Sequence, residues 1–254
     1  MTTNVVVLGK GAFGVVRRQG DVAIKRPTDD LGGQVTSLNE RTLLRDLNHP
    51  NIVKLMGDTM VDGCLELTLE LFDLDLCRLI HQHKQAQRSM DYRLIHSVMR
   101  QCVLGVQYLH SQHIVHCDLK PGNILIQRLG HVVLADFGTA VRFKTLPIPK
   151  THEVTSLWYR APELLETLEF TPAIDIWALG CVYGDLLLAG QHRRQTLFPG
   201  KTPTDQLLKI IEVPVSFGGK LMQHMLDMEV DTRWSADQCL ACSVLSKTDV
   251  VSFV

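Results

Sequence analysis

In one short stretch of this chain, Val115-His116-Cys117-Asp118-Leu119-Lys120-Pro121-Gly122-Asn123-Ile124-Leu125-Ile126, a carboxylate, an amine and an amide follow closely on one another. Pro121 and Gly122 force a loop, and the apolar runs on either side can pin that loop to a core. Asp118 can accept a proton from a hydroxyl, Lys120 can hold a phosphate, and Asn123 can offer an amide oxygen to a hard cation. That is equipment for phosphoryl transfer, in which positioning and charge neutralisation do most of the catalytic work.

Such groups need a scaffold. The 254 residues suit one large domain or two packed lobes with a sizeable core. With 45% hydrophobic and 21% charged residues the balance is globular, which argues against an intrinsically disordered chain. A net charge of −1 gives no basic excess to attract nucleic acid or an anionic membrane, so neither is expected as a partner. Seven scattered cysteines, and a start without a basic-then-apolar leader, suggest a reducing intracellular compartment, with cytoplasm and nucleus both open. Cys239 and Cys242, the only close pair, are expected to pack in a helix rather than bind zinc. The most apolar stretch, 176–190, contains Asp185 and is too short to span a bilayer; it reads as a buried helix.

Residues 4–26 read as strands. Gly9, Gly11 and Gly14 have the spacing that opens a helix in dinucleotide folds, but Val15-Val16 and another strand follow, so they sit in a hairpin. A plain turn would account for them, as would backbone N–H groups brought close to phosphate oxygens. A helix is predicted over 34–47, with Val35, Leu38, Leu43, Leu44 and Leu47 on its apolar face. Glu40 lies close to that face. An isolated helix glutamate is usually solvated, but Lys25 on the preceding strand needs a carboxylate partner. Asn48-His49-Pro50-Asn51 breaks the helix, and 52–55 and 64–71 read as strands. Around 70–76 the texture changes from strand to helix, placing a lobe boundary near residue 72. Helices follow at 76–88 and 92–112, the second with Leu94, Ile95, Val98, Met99, Cys102, Val103, Val106 and Leu109 on a broad apolar face. After the loop comes a hairpin, 124–126 and 132–134 turning at Gly130, ended by Asp136-Phe137-Gly138. Residues 139–160 read as a long ordered loop, and helices are predicted at 162–168, 173–189, 203–212, 218–228 and 235–244.

The ordered set is Gly9-x-Gly11-x-x-Gly14-x-Val16, Val22-Ala23-Ile24-Lys25, Glu40, His116-Cys117-Asp118-Leu119-Lys120-x-x-Asn123, Asp136-Phe137-Gly138 and Ala161-Pro162-Glu163. It resembles a eukaryotic-type protein kinase over roughly residues 5–245. The resemblance implies an α+β, bilobal protein kinase fold in a single domain over 1–254. A small β-rich lobe with one helix would occupy about 1–72, and a larger, mainly helical lobe 73–254. It implies ATP and Mg2+. Leu8 and the loop of Gly9, Gly11 and Gly14 would cover the nucleotide. Lys25 would contact its phosphates and pair with Glu40, and Asp136 and Asn123 would bind the metal. Asp118 would orient and deprotonate the attacking hydroxyl, with Lys120 neutralising the moving phosphoryl group. The position of Lys120 resembles serine/threonine kinases. Glu70 to Phe72 resemble the adenine-binding hinge, Leu69 the gatekeeper, and Val16, Ala23 and Leu125 the walls around the ring. Asp75, or its neighbour Asp73, would meet the ribose. Glu163 would pair with Arg233, Asp175 would hold the catalytic loop, and His116 would pack.

Within the family, the segment 151–163, Leu47 to Leu55, and Leu197-Phe198-Pro199-Gly200 are similar to cyclin-dependent kinases. Thr151 stands at the activating phosphorylation position, Ser156 where a hydroxyl bridges Asp118 and Lys120, and Arg160 where an arginine shapes a pocket for proline. The resemblance implies protein substrates whose target Ser or Thr precedes Pro. The chain departs from the group in four ways. Cys117 replaces the usual arginine, and a thiol cannot hold a loop phosphate. The Glu40 helix lacks the cyclin-recognition sequence, leaving a different regulatory protein there as the open expectation. Ala12 and Phe13 occupy positions of inhibitory phosphosites, and the region between Asp205 and Arg233 is short. The alternatives are a pseudokinase scaffold, which would usually lack Lys25, Asp118 or Asp136, and a small-molecule kinase, which the peptide-platform segment argues against.

Overall fold

The computed structural model describes residues 6–11, 14–143, 156–166, 170–191 and 196–251. Ala12, Phe13 and Thr151 lie outside these. Strands β1 (Val6–Gly11), β2 (Gly14–Gln19), β3 (Val22–Pro27), β4 (Leu55–Val61) and β5 (Cys64–Glu70) form one antiparallel sheet in the order β1-β2-β3-β5-β4. Lys25 is paired with Val16 on one side and Leu67 on the other. Alternation along β3 puts Ala23 and Lys25 on the same face of the sheet.

Helix α1 (Leu31–Asp46) crosses behind this sheet against β3 and β5. It begins three residues before the predicted start, because the Asp30 carboxylate caps it by accepting from the Gly33 N–H at 2.7 Å. Gly32 and Gly33, poor helix formers, hide that start in the sequence. The predicted apolar face is corrected as well. Leu43 and Leu44 are buried, but Val35 is 56% and Leu38 54% exposed, while Ser37 and Glu40 point inward. A buried ion pair, not apolar periodicity alone, sets which side of α1 faces the sheet. The strand expected at 52–55 is a lone bridge from Ile52 to Leu134, and β4 instead runs from Leu55 to Val61. As the edge strand it buries little, so its sequence carries no clear alternation.

Past β5, β6 (Leu74–Asp75) leads into α2 (Leu76–Gln85) and α3 (Tyr92–Ser111). Short strands β7 (Ile114–Val115), β8 (Ile124–Ile126), β9 (Val132–Leu134) and β10 (Val141–Arg142) flank the loop segments. Then come α4 (Pro162–Glu166), α5 (Ala173–Leu188), α6 (Pro203–Glu212), α7 (Gly219–Met225), α8 (Ala236–Ala241) and α9 (Ser243–Ser246). The predicted face of α3 is the buried one from Ile95 to Leu109, with Leu94 at its margin. It packs on α5, which is buried on every side from Ile174 to Leu186; hence its unbroken apolar run.

Two small sheets position the loops. β6 pairs with β8 in the order β6-β8-β9, tying the chain after β5 to the strand that follows the 115–126 loop. β10 pairs with β7, drawing the segment after Asp136 against the strand before His116. Two-residue strands have no sequence signature, so β10 falls inside the stretch predicted as loop. A β-rich N-terminal part with one helix and a larger helical part make the fold α+β and bilobal. All seven cysteines are free, with Cys239 buried. Among the described residues no helix is long and apolar enough to cross a membrane.

Candidate active site

The 115–126 loop is held from below by Asp175, whose side chain is 1% exposed. Its oxygens accept the N–H of His116 at 2.9 Å and of Cys117 at 3.0 Å, and His110 Nε2 lies 3.0 Å away. Cys117 sits at φ +71°, a conformation that residues with a Cβ resist, and these bonds help to hold it there. His116 uses both ring nitrogens: Nε2 is 3.0 Å from Ala135 O, and Nδ1 accepts the Asp118 N–H at 3.3 Å. It packs on Phe137 and fixes the loop.

The amine and the amide of the loop then converge on Asp118. Its Oδ1 accepts from the Ser156 N–H and hydroxyl, both at 2.9 Å; its Oδ2 accepts from Lys120 Nζ at 2.6 Å and Asn123 Nδ2 at 3.2 Å. Lys120 also donates to the Ser156 hydroxyl at 2.9 Å, and Asn123 to the Asp118 carbonyl at 2.8 Å.

Opposite lies Lys25, its Nζ 2.5 Å from Glu40 Oε2 and 2.7 Å from Asp136 Oδ1. Burial opposes the charge on Lys25, but the two carboxylates, Glu40 foremost, outweigh it and hold the amine well above its ordinary value. Burial likewise acts to raise Asp136, yet the Lys25 ammonium prevails and keeps it below the usual carboxylate range. Glu40, fully enclosed, is pushed upward by burial despite Lys25. Its Oε1 accepts the Phe137 N–H at 3.2 Å.

These groups line one cleft of about 470 Å3, and every candidate residue from Leu8 to Asp136 named above borders it. Three features fit a nucleotide with a metal. A Cβ added at Gly9 or Gly11 meets nothing within 4 Å among the described residues, so packing does not require these glycines. At Gly14 a Cβ would lie 2.3 Å from Arg26 O, so that glycine is needed for the β2–β3 approach. The backbone N–H and C=O of Phe72 have no partner among the described residues, and Val16, Ala23 and Leu125 supply apolar walls nearby. Asp136 and Asn123 each keep one side-chain oxygen without a protein partner among the described residues, hard donors of the kind Mg2+ takes.

Sequence reasoning missed two residues. Arg78 reaches across the cleft mouth to the Leu8 carbonyl, and its Nε lies 3.3 Å from Asp75 Oδ2. Asp75 Oδ1 caps α2 by accepting the Arg78 N–H at 2.8 Å. The three-residue spacing from Asp75 was the available signal. Asp73 also borders the cleft and accepts from the Arg128 N–H at 2.8 Å. The second missed residue, Asn39, hydrogen-bonds the backbone after Asp136, and nothing in its type or spacing marked it.

Beside the cleft, the segment 156–166 rests on the helical part. Trp158 Nε1 donates to Gly200 O at 2.9 Å, and the Tyr159 hydroxyl to Asp185 Oδ2 at 2.8 Å. Burial pushes Asp185 up to about 6 although Tyr159, Leu197 and Thr196 donate to it. Arg233 grips Glu163 with two bonds, at 2.6 and 2.9 Å.

A β-rich lobe over a helical lobe, with a Lys–Glu–Asp cluster facing an Asp–Lys–Asn loop across a cleft, defines an ATP-dependent phosphotransferase. Residues 2–245 match the protein kinase domain family. The chain is also similar to a cell division control protein 2 homolog 3 of Trypanosoma brucei brucei, with 37% identity over 217 residues, covering 82% of this chain and 67% of that protein. The chain belongs to the protein kinase family and is a serine/threonine kinase of the cyclin-dependent-kinase-like group.

Proposed function

We propose that this kinase moves the γ-phosphate of ATP onto Ser or Thr hydroxyls of proteins at sites followed by Pro, as a single domain hinged near residue 72. The observation that carries the reading is the convergence of Asp118 and Lys120 with Lys25, Glu40 and Asp136 on one cleft, Ser156 bonding both Asp118 and Lys120 from beside it. Mg2+, held by Asp136 and Asn123, would supply charge neutralisation at the phosphates. Asp118 orients the hydroxyl and takes its proton. Lys120 offsets charge on the transferred group, and Lys25 holds the phosphates from the other side. Glu70 and Phe72 offer backbone groups to adenine; Val16, Ala23 and Leu125 enclose it; Asp75 meets the ribose. Leu8, Gly9, Gly11 and Gly14 close over the top.

Arg160, 8% exposed within the 156–166 segment, supports a preference for proline after the target residue. Peptides carrying Ser-Pro or Thr-Pro, beside the same peptides with Ala for Pro, test this with Mg2+ and labelled ATP. Transfer at least about ten-fold faster to the proline series is expected. Equal rates would sink the specificity, and nucleotide binding without any transfer would favour the scaffold.

Cys117 supports independence from Thr151 phosphate. The residue is 3% exposed, its thiol donates to Val115 O at 3.2 Å, and burial with Asp175 behind it pushes the thiol well above its ordinary value. A neutral, enclosed thiol offers a phosphate nothing. Thr151→Ala is therefore expected to keep kcat within about two-fold of wild type in steady-state assays; a larger loss would restore the phosphate switch. The exposed Leu31, Val35 and Leu38 on the outer side of α1 support a regulatory protein docking there. An intracellular site of action, cytoplasm or nucleus, agrees with seven unpaired cysteines.

Lys25→Met is expected to lower transfer roughly 100- to 1,000-fold, because the phosphates lose their buried cation. Glu40 and Asp136 would face each other without it, and Glu40 would protonate rather than unfold the sheet. Circular dichroism should show the native fold. Wild-type transfer in a folded Lys25→Met protein would overturn the assignment of Lys25.

A further inference from the structure

We propose that Asn39 is a positioning residue that clasps α1 to the backbone after Asp136, and so keeps Lys25, Glu40 and Asp136 in their reacting arrangement through neutral hydrogen bonds. The inference rests on the kinase reading of this cleft. Asn39 Nδ2 lies 2.9 Å from Ala140 O, 3.0 Å from Gly138 O and 3.3 Å from Phe137 O. Three acceptors surround it, and only the NH2 end of an amide can face three acceptors, so its orientation is dictated by its neighbours.

Glu40, the next residue, completes the grip from the same helix. Its Oε1 takes the Phe137 N–H at 3.2 Å while its Oε2 holds Lys25 at 2.5 Å. Adjacent residues of α1 thus engage the Phe137 N–H and the carbonyls of residues 137, 138 and 140. The contact continues along the helix. A Cβ at Gly138 would lie 3.1 Å from Thr36 Cβ, and Arg142 donates to Asp46 at 2.9 Å. Asp136 precedes this segment at φ +66°, a conformation uncommon for residues with a Cβ although aspartate adopts it more readily than most. What fixes 137–140 therefore fixes the Asp136 carboxylate and the Lys25 amine bonded to it.

The clasp carries no charge at Asn39 and none on the three carbonyls. The Asn39 bonds themselves need neither a phosphate nor a titrating group to form. Asn39 is half-buried on the flank of α1, one turn beyond the exposed Val35, so the clasp sits beside the outer face where a partner would dock.

Two substitutions test this on the phosphatase-treated chain, assayed without any other protein. Asn39→Leu keeps the size and removes the donor. Asn39→Asp sets an acceptor against three acceptors. Both are expected to lower kcat about ten-fold and to raise the Mg2+ concentration for half-maximal rate several-fold, with Asn39→Asp the worse. Asn39→Gln, which retains the amide, should recover part of the loss. A role in stability alone would shift the unfolding midpoint and leave the Mg2+ dependence untouched. If Asn39→Leu fails to fold, Asn39→Asp and Asn39→Gln decide the matter. Wild-type kcat and Mg2+ dependence in the folded variants would overturn the clasp while leaving the kinase reading intact. Loss of wild-type activity on phosphatase treatment would overturn its sufficiency without charge. A wild-type chain that binds nucleotide yet transfers no phosphate before treatment would mean that α1 needs its docked regulatory protein, and would overturn the clasp's sufficiency.

Discussion

Asp118→Asn is expected to lower kcat by roughly 100- to 10,000-fold, the range that a lost general base produces. The substitution preserves shape. An asparagine oxygen can still accept from Ser156, which now meets Oδ1 twice at 2.9 Å, and the bond from Asn123 to the residue 118 carbonyl at 2.8 Å is a backbone contact. What disappears is the charge that takes the hydroxyl proton and anchors Lys120 at 2.6 Å. Nucleotide contacts come from other residues, so nucleotide affinity should stay within about two-fold. Steady-state kinetics beside a nucleotide titration separates the two quantities. A variant that binds nucleotide and transfers phosphate at the wild-type rate would remove Asp118 from the reaction.

The largest effect on stability is expected at Arg233. Its guanidinium is fully enclosed, and it satisfies Glu163 at 2.6 and 2.9 Å, Asp227 O at 2.9 Å and Ala173 O at 3.2 Å, with Trp177 5.0 Å from its centre. Arg233→Met fills similar volume but takes the guanidinium from the buried Glu163 carboxylate and the donor from the Asp227 carbonyl. Breaking a buried pair in this way costs about 3–5 kcal/mol, a large share of the roughly 5–15 kcal/mol that stabilises a domain. Denaturant unfolding should show the midpoint falling accordingly. The double variant Glu163→Leu/Arg233→Met should recover part of the loss, because the buried charge that Arg233 neutralised is gone. A double variant as unstable as the two single losses added together would mean that the pair is not coupled. The pair ties the 156–166 segment, through Glu163, to Arg233 and borders no part of the cleft, so KM for ATP should hardly move.

Several features of the fold follow from neighbours in the chain and were legible on that basis. The glycine hairpin, the buried face of α3 and the all-round burial of α5 depend on local spacing and on apolar periodicity. Other elements were not legible. The start of α1 lay behind two glycines, and its exposed Val35 and Leu38 broke the expected face because a lysine across the sheet drew Glu40 inward. Edge strand β4 and the two-residue β10 bury too little to pattern their residues.

The sequence by itself determined the chemistry this protein carries. Asp118, Lys120 and Asn123 share one loop, Ala23 and Lys25 share one strand face, and Cys117 stands beside the base, because those relations are set within a few residues of chain. Only the tertiary structure decided what closes around them. Asn39 meets the carbonyls of residues 137, 138 and 140, and Arg78 meets the carbonyl of Leu8. The acceptors there are backbone groups that every residue carries, so no pattern of side chains announces them; only the folded chain shows which carbonyl lies within reach.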